Sequence, residues 1–458
     1  MFLKLKYSYI VYLAVGLSVL VKAQDTQYWN IAYGTNASLL GGTVIGSATD
    51  ISATYYNPGM LGINKNDEII IGAKMFEYST FSANTKLLEP LNLSSSNFRP
   101  SPTFVGVSYA SDSTKANRLS FSLLTRQYFN FSIEARVVSD LTGENYPVNE
   151  YAGELIFNQD MIEMWGGVTW SRKINNNVGI GATLYLAARS QEKRQQVDFN
   201  GISIDDKIQL YKTVRNYYYY NMRALAKAGV GFNFTPLTFG FTITTPSLNL
   251  LGDGEAYFSN AVSFDEYHGG EEINYMAAHY QDELNATYKN SWAIGIGGGY
   301  EIGRSRLHLS AEWYAPISEY NVLEPDEFQS QTTGETFQNN LSHEAKSVFN
   351  IGVGYQFDFV EGISGFTSIV TDYSSVIENS VSNLGVADWN IYHFTIGGTF
   401  GFANSLITAG FEYSIGNDDG TLLIGDKTYT PEVFTGFSNS INGKYNRYKI
   451  IIVLAIEL

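Results

Sequence analysis

The 458-residue chain contains no cysteine. That excludes a disulfide framework, thiolate chemistry, a cysteine-bound zinc site and a lipid-modified N-terminal cysteine. Basic residues are scarce: 29 Lys+Arg stand against 45 Asp+Glu, for a formal net charge of −16. A nucleic-acid binder needs a basic face, so that function is excluded. Charged residues of both signs make up only 16%, where an average soluble domain has about 25%. Beyond the N-terminus, no apolar run approaches the ~20 residues of a membrane-spanning helix. What is abundant is aromatic or small: 33 tyrosines, 28 phenylalanines and 43 glycines. Such aromatic content does not belong to a disordered chain. Many tyrosines and glycines with few charges point to an all-β outer-membrane barrel with aromatic belts.

Lys4 and Lys6 form a short positive region, and an apolar stretch from Ile10 to Val21 follows. Val21-Lys22-Ala23 then places small side chains at the −3 and −1 positions of a cleavage site. Residues 1–23 read as a signal peptide cleaved before Gln24. The apolar run is shorter than the ~20 residues an uncleaved anchor needs.

Period-two alternation runs through the remainder. Phe349, Ile351, Val353, Tyr355, Phe357 and Phe359 alternate with Asn350, Gly352, Gly354, Gln356 and Asp358. Ile450, Ile452, Leu454, Ile456 and Leu458 repeat the pattern. One face of each strand is apolar and the other polar or small. Fourteen strands are predicted, near 68–82, 101–110, 118–139, 149–174, 178–199, 207–234, 237–250, 284–302, 305–318, 344–359, 363–377, 388–402, 405–416 and 444–458. Every second connection is short, as at Asn175–Asn177, Thr235-Pro236, Gly303-Arg304, Val360–Gly362 and Ala403-Asn404. Those between are mostly longer, as at Ala83–Pro100, Glu319–His343 and Asn417–Gly443. Loops sorted by length onto opposite ends mark an antiparallel transmembrane barrel, with the short ones toward the periplasm. In lipid every backbone group must be paired, so the sheet closes. Apolar side chains are expected toward lipid and polar ones toward the lumen. Tyr217–Tyr220, Trp165 and Trp170 are candidates for the interfacial belts.

Residues 24–66 lack sustained alternation. From Thr35 to Gly62 they read TNASLLGGTVIGSATDISATYYNPGMLG. Pro58 restricts Asn57 to an extended or turn conformation and ends any short helix through Ala48–Tyr56. Asn57 can then hydrogen-bond local backbone. With Gly41, Gly42, Ala48, Asp50, Ala53, Asn57 and Pro58, this stretch resembles the FadL/TodX family of outer-membrane transporters for long-chain fatty acids and other hydrophobic compounds. Gly59 stands where that family's Asn-Pro-Ala motif carries alanine. The resemblance implies an N-terminal plug, or hatch, over residues 24–66, inside a 14-stranded antiparallel barrel over 67–458. It further implies ligands bound in the lumen and sideways release through a wall opening at a kinked strand. Hydrophobicity makes Leu39, Leu40, Val44, Ile45, Tyr55 and Tyr56 the expected ligand contacts of the plug. Packing against the wall is the other role open to each.

Gly-X-Gly recurs with an apolar middle residue, at Gly179/Gly181, Gly229/Gly231, Gly295/Gly297 and Gly352/Gly354. By alternation these glycines face the lumen, toward its periplasmic half. Glycine weakens a strand but admits close backbone approach. The expectation is that they make room for the plug; easing barrel curvature is the alternative.

Catalytic motifs are missing. His268, His279, His308, His343 and His393 are scattered, with no H-E-x-x-H, and Gly436-Phe437-Ser438 does not continue into a nucleophile elbow. Distant residues can still assemble a triad. The expectation is nonetheless a non-enzyme with no metal and no cofactor. Asp253, Glu255, Asp265, Glu266, Glu271 and Glu272 cluster in a predicted outer loop, but their spacing matches no EF-hand and reads as a solvated surface. The expected function is passive transport of hydrophobic small molecules, such as long-chain fatty acids, across the outer membrane of a Gram-negative bacterium. The barrel is expected to be a monomer among outer-membrane lipid and lipopolysaccharide. A general porin, a FadL-like accessory of protein secretion and a mainly structural barrel are the alternatives. The ending Ile456-Glu457-Leu458 lacks the terminal aromatic common in such barrels but keeps the alternation.

Overall fold

The computed structural model describes residues 27–63, 68–84, 92–110, 116–140, 150–202, 206–264, 273–377, 389–423 and 440–457. The signal segment 1–23, Asp265, Glu266, His268, Glu271, Glu272, residues 436–438 and Leu458 lie outside the described residues.

The strands are β1 (Glu68–Asn84), β2 (Asn92–Ala110), β3 (Asn117–Asp140), β4 (Glu150–Lys173), β5 (Val178–Ile202), β6 (Ile208–Phe234), β7 (Leu237–Thr244), β8 (Leu248–Phe264), β9 (Ile273–Asn285) and β10 (Ala293–Ile302). There follow β11 (Ser305–Tyr314), β12 (Ile317–Leu323), β13 (Phe328–Gln329), β14 (Thr336–Phe337), β15 (Leu341–Ala345), β16 (Val348–Val360), β17 (Ile363–Asp372), β18 (Ile391–Phe402), β19 (Ser405–Leu423) and β20 (Ser440–Glu457). One sheet runs β5-β4-β3-β2-β1-β20-β19-β18-β17-β16-β11-β10-β7-β6, and β5 pairs with β6 to close it. β8 continues β7, and β9 leads into β10, so the wall is a closed antiparallel barrel of 14 staves. Two small sheets, β12–β15 and β13–β14, lie in the connection from β11 to β16.

The predicted strands 237–250 and 284–302 are interrupted. Pro246, which has no N–H to give a ladder, lies between β7 and β8. Residues 286–292 separate β9 from β10. Asp253 and Glu255 belong to β8, not to a loop. The predicted short ends are tight hairpins. Ile302 pairs with Ser305 around Gly303-Arg304, where Gly303 has φ +62°, a left-handed conformation that favours glycine. At the other end the strands run on: β6 holds 27 residues, where a tilted strand needs about 9–11 to cross hydrocarbon.

Outward residues are apolar. Along β16, Phe349, Ile351, Val353, Tyr355 and Phe359 are exposed, whereas Asn350, Gly352 and Gly354 are buried. This outward apolar band is the surface that bilayer hydrocarbon covers. The inward face changes character along the staves. Near the short turns it carries Ser120, Thr169, Ser171 and Thr183; toward the far ends it carries Phe131, Ile133, Phe157, Val197 and Phe199. Of the aromatics expected in the belts, Trp170, Tyr218 and Tyr220 are exposed, but Trp165, Tyr217 and Tyr219 are buried and turn inward. Successive residues on a strand point to opposite faces, so four adjacent tyrosines cannot share one.

Candidate functional site

Residues 27–63 carry three one-turn helices, α1 (Asn36–Leu39), α2 (Ala53–Tyr56) and α3 (Pro58–Leu61). Pro58 is the first residue of α3, and Asn57, its N-cap, is extended at φ −159° and ψ 100°, as a following proline favours. Asn57 is fully buried. Its Oδ1 accepts the Gly59 N–H at 3.0 Å, and its Nδ2 donates to Ile45 O at 2.8 Å and to Val230 O on β6 at 3.0 Å. One amide therefore caps a helix, ties two turns together and joins them to the wall. Asp50 closes the other side, accepting from Thr35 N at 2.7 Å, Thr35 Oγ1 at 2.6 Å and Ser52 N at 2.9 Å.

The glycines lie beneath this segment. Register sets Gly179 opposite Gly231, Gly231 opposite Gly240, Gly240 opposite Gly297, Gly297 opposite Ser310, and Ser310 opposite Gly352. They form one row across β5, β6, β7, β10, β11 and β16. A Cβ at Gly240 would lie 2.6 Å from Ile45 O, one at Gly297 2.9 Å from Gly46 N, and one at Gly59 2.7 Å from Val230 Cα. Cβ atoms at Gly179, Gly181 and Gly229 would meet Gly59, Pro58 and Asn57. At Gly231 the neighbour is Met60, at Gly295 it is Ile45, and at Gly352 and Gly354 it is Thr43. At Gly179, Gly181 and Gly240 backbone of the segment rests on backbone of the wall, while at Gly229, Gly231 and Gly354 it is a side chain of the segment that fills the space. In the row's gap at Ser310, the hydroxyl accepts the Ile45 N–H at 3.1 Å. Gly240, Gly397 and Gly410, the latter two against Leu39, belong to the same surface. They stand outside Gly-X-Gly repeats, and only the cross-strand register reveals them.

A second feature is a bulge in the wall. Among the described residues, the β2–β3 ladder runs from Phe104↔Leu124 to Ala110↔Arg118, while β2 with β1 and β3 with β4 pair well beyond that level. At the same level the β3–β4 register shifts between Thr125 and Gln127, leaving Arg126 as a bulge residue. Leu124, Thr125 and Arg126 are consequently all buried. Tyr33 OH donates to Thr125 O at 2.9 Å, and Gln127 Nε2 donates to Gln27 O at 3.1 Å. The Arg126 guanidinium lies 5.8 Å from the Tyr55 ring and 5.5 Å from the Trp165 ring. Its Nη1 has no hydrogen-bond partner.

Polar groups hold residues 28–30. Glu312 accepts from Trp29 Nε1 at 2.9 Å and Tyr314 OH at 2.5 Å, and pairs with Lys227 at 3.4 Å. Asp372 accepts the N–H groups of Tyr28 and Trp29 at 3.1 and 2.8 Å. Lys449 Nζ donates to Asn30 O at 2.7 Å, and Arg447 donates to Asn30 Oδ1. Between these contacts and the helices is a cavity of about 10 Å³, room for about one water. Of the expected ligand contacts, Ile45, Tyr55 and Tyr56 line it with Tyr28, Trp29, Ile31, Lys227 and Glu312. Leu39, Leu40 and Val44 instead pack in an apolar cluster with Phe366, Ile451 and Val453 among its wall residues. Burial pushes the Tyr55 hydroxyl up to about 12, so it stays neutral at cellular pH.

Ser414, His393 and Asp372 are in contact, at 2.7 Å and 3.4 Å. The order resembles a hydrolytic triad, but the chemistry is not presented for use. Ser414 is fully buried and its hydroxyl donates to Glu412 at 3.1 Å, with Arg447 Nη2 3.3 Å away. A nucleophile needs a substrate carbonyl beside it.

Farther up the barrel, the β11–β16 connection packs on the inward face. Val322, Leu323 and Leu341 meet Tyr217, Tyr219 and Leu284. His343 stacks on Tyr288 with ring centroids 5.7 Å apart. Burial, with the Arg189 charge nearby, holds its pKa down at about 3, against 6.5 ordinarily.

Replacing Asn57 by Ala leaves Val230 O and Ile45 O without their donor. The expected cost to the segment is about 1–3 kcal/mol per unsatisfied group. Limited proteolysis then cuts within residues 35–60 while the barrel keeps its folded gel mobility. Gly297→Leu, which forces a side chain against Gly46, gives the same nicking. Gly166→Ala, where no atom lies within 4 Å of the new Cβ, leaves the cleavage pattern unchanged. His343 supplies a pH test. Its depressed pKa means that the unfolded connection binds a proton between about pH 6.5 and 3 and the folded one does not. Stability of the connection is therefore full above that window and falls as the pH is lowered through it. Hydrogen exchange of the β12–β15 amides, corrected for intrinsic rates, is expected to accelerate from about pH 7 to about pH 4, and His343→Gln to remove that dependence.

The sequence matches no family model and no curated protein. The fold has close parallels among solved structures. The toluene transporter TodX of Pseudomonas putida superposes with a TM-score of 0.62, over 93% of this chain and 99% of that one, at 11% identity. The toluene transporter TbuX of Ralstonia pickettii gives 0.57 over 94% and 99%, at 10% identity. A FadL homologue of Pseudomonas aeruginosa gives 0.56 over 95% and 99%, at 12% identity. Along nearly its whole length, this chain has the fold of those hydrocarbon and FadL-type barrels.

Proposed function

We propose that the protein is an outer-membrane passage that carries hydrophobic compounds, such as long-chain fatty acids, passively inward, with residues 24–66 as its plug and 67–458 as its barrel. In this reading it works as a monomer among outer-membrane lipid and lipopolysaccharide. The observation that carries this reading is the β3 bulge at Arg126, at the level where the described β2–β3 ladder ends at Phe104↔Leu124. Here Tyr33 and Gln27, from the proposed plug, bond the inner side of β3. A wall that opened sideways there would serve a solute that leaves into lipid; an aqueous porin has no use for such an exit. The inward apolar side chains at the far ends of β3–β5 suit the same class of solute. The structural relatives that transport toluene add weight to it.

In this reading Ile45, Tyr55 and Tyr56 contact the ligand, and Leu39, Leu40 and Val44 seat the plug. The cavity of about 10 Å³ beside Ile45, Tyr55 and Tyr56 is too small for a fatty acid, so a ligand that reaches these three residues displaces them. Arg126, buried at the bulge with no carboxylate paired to it among the described residues, is placed to take the headgroup of an anionic lipid.

The test is uptake into outer-membrane vesicles with and without the protein. Hexadecanoate is expected to be accelerated and sucrose not. Arg126→Met is expected to slow hexadecanoate about tenfold, as loss of a charge-assisted bond implies, and to spare toluene. Acceleration of sucrose would establish a porin. Acceleration of neither solute would leave secretion or a structural role.

A further inference from the structure

A continuous column of contacts joins the N-terminal segment to the β11–β16 connection, and Glu163 on β4 is its joint. The side chains of Glu163, Arg189 and Arg223 are 1%, 1% and 0% exposed. Glu163 pairs with Arg189 at 3.1 Å and Arg223 at 2.6 Å, and accepts Trp165 Nε1 at 2.6 Å. Below, the Trp165 ring faces Tyr55 of α2 with centroids 6.4 Å apart. Above, the two guanidinium groups lie 4.2 and 4.7 Å from the ring of Tyr288, in the inward segment between β9 and β10. Tyr288 in turn stacks on His343 of β15.

From this geometry we infer that Glu163 is a positioning residue that couples the outer closure of the lumen to the inner one, so that opening either loosens the other. The inference rests on the proposed reading of the N-terminal segment as the inner closure. Its physics is that of a packed interior without slack. The Tyr288 ring shields the two guanidinium groups that share one carboxylate, while Tyr219, Gln127 and Gln191 accept from Arg189 and Asn290 accepts from Arg223. When a ligand moves that ring aside, the pair re-solvates and its carboxylate is drawn toward it. The Trp165 N–H loses its acceptor, and the indole no longer fixes Tyr55. Coupling free energies are reciprocal, so displacement of Tyr55 must open the outer end by the same factor.

The absence of native cysteine allows single-cysteine reporters in the full-length protein in lipid vesicles. Ala37→Cys reports the N-terminal segment and Ser342→Cys the β15 connection, each by its rate of labelling with a small maleimide. Tyr288→Ala is expected to speed labelling at both sites about tenfold, and Tyr55→Leu to do the same. In a Glu163→Gln background each perturbation is expected to speed only its own reporter. Trp165→Phe, a milder change, is expected to reduce the transmitted effect in the same direction. Folded mobility in unheated gels checks that each barrel is assembled. If Tyr288→Ala exposes residue 342 while residue 37 keeps its original rate, the coupling is overturned and the closure reading stands. If residue 37 labels as fast as an exposed site without any perturbation, the closure reading itself fails.

Discussion

A backbone can lie directly on a sheet only where the sheet carries no side chain, and this constraint organises the lower half of the lumen. The row from Gly179 to Gly352 crosses six neighbouring staves and is glycine on all but β11, where Ser310 stands. Residues 43–46 and 57–60 lie on it. Once they are so low, Ile45 O and Val230 O come within reach of a single amide, and Asn57 fills that place. Pro58 makes the arrangement local by holding Asn57 extended while starting α3. The seating of Tyr55 and Tyr56, and hence the shape of the small cavity, follows from that anchor.

Charge organises what the glycines do not. Glu163, Glu312, Asp372 and Glu412 are all deeply buried on different staves, and each has cationic or N–H partners. Buried ion pairs contribute little net stability against a well-packed apolar alternative, but removing one partner is costly. Their effect here is on arrangement. Glu312, Asp372 and the cations paired with Glu412 fix residues 28–30, while Glu163 stands between the N-terminal segment and the outer connection. A lumen filled in this way differs from the wall's outer face, where no orientation is specified beyond apolar character.

Much of this was legible in the sequence because strands have a short period. Alternation located the staves, tight turns gave the sense of the barrel, and the Gly-X-Gly repeats marked inward positions. Asn57-Pro58 could be read because proline acts on its immediate neighbour. The rest depends on pairs far apart in the chain. Nothing around Arg126 announces a bulge, since the extra residue is defined only against β4. Glu163, Arg189, Arg223 and Tyr288 come together only once register is known. Trp165, Tyr217 and Tyr219, equally open to belt or packing roles by sequence, turn inward, because aromatic content does not say which face a residue takes. Gly240 escaped for a related reason: it gains meaning only between Gly231 and Gly297.

If the N-terminal segment is the plug of the proposed passage, the energetics favour a long apolar solute as the agent that opens it. Each hydrogen bond holding the N-terminal segment is worth on the order of 1 kcal/mol net, so displacing several together costs several kcal/mol. Each buried methylene returns roughly 0.8 kcal/mol. A chain of a dozen methylenes therefore offers on the order of 10 kcal/mol, enough to offset the loss of those contacts while it occupies the lumen. A sugar brings no such term and leaves the segment where the glycines and Asn57 hold it. The solute gives the same burial energy back to the lumen when it leaves, but lipid outside the barrel supplies an equivalent apolar medium. In the proposed passage, sideways release into that medium would avoid the cost that release into water imposes.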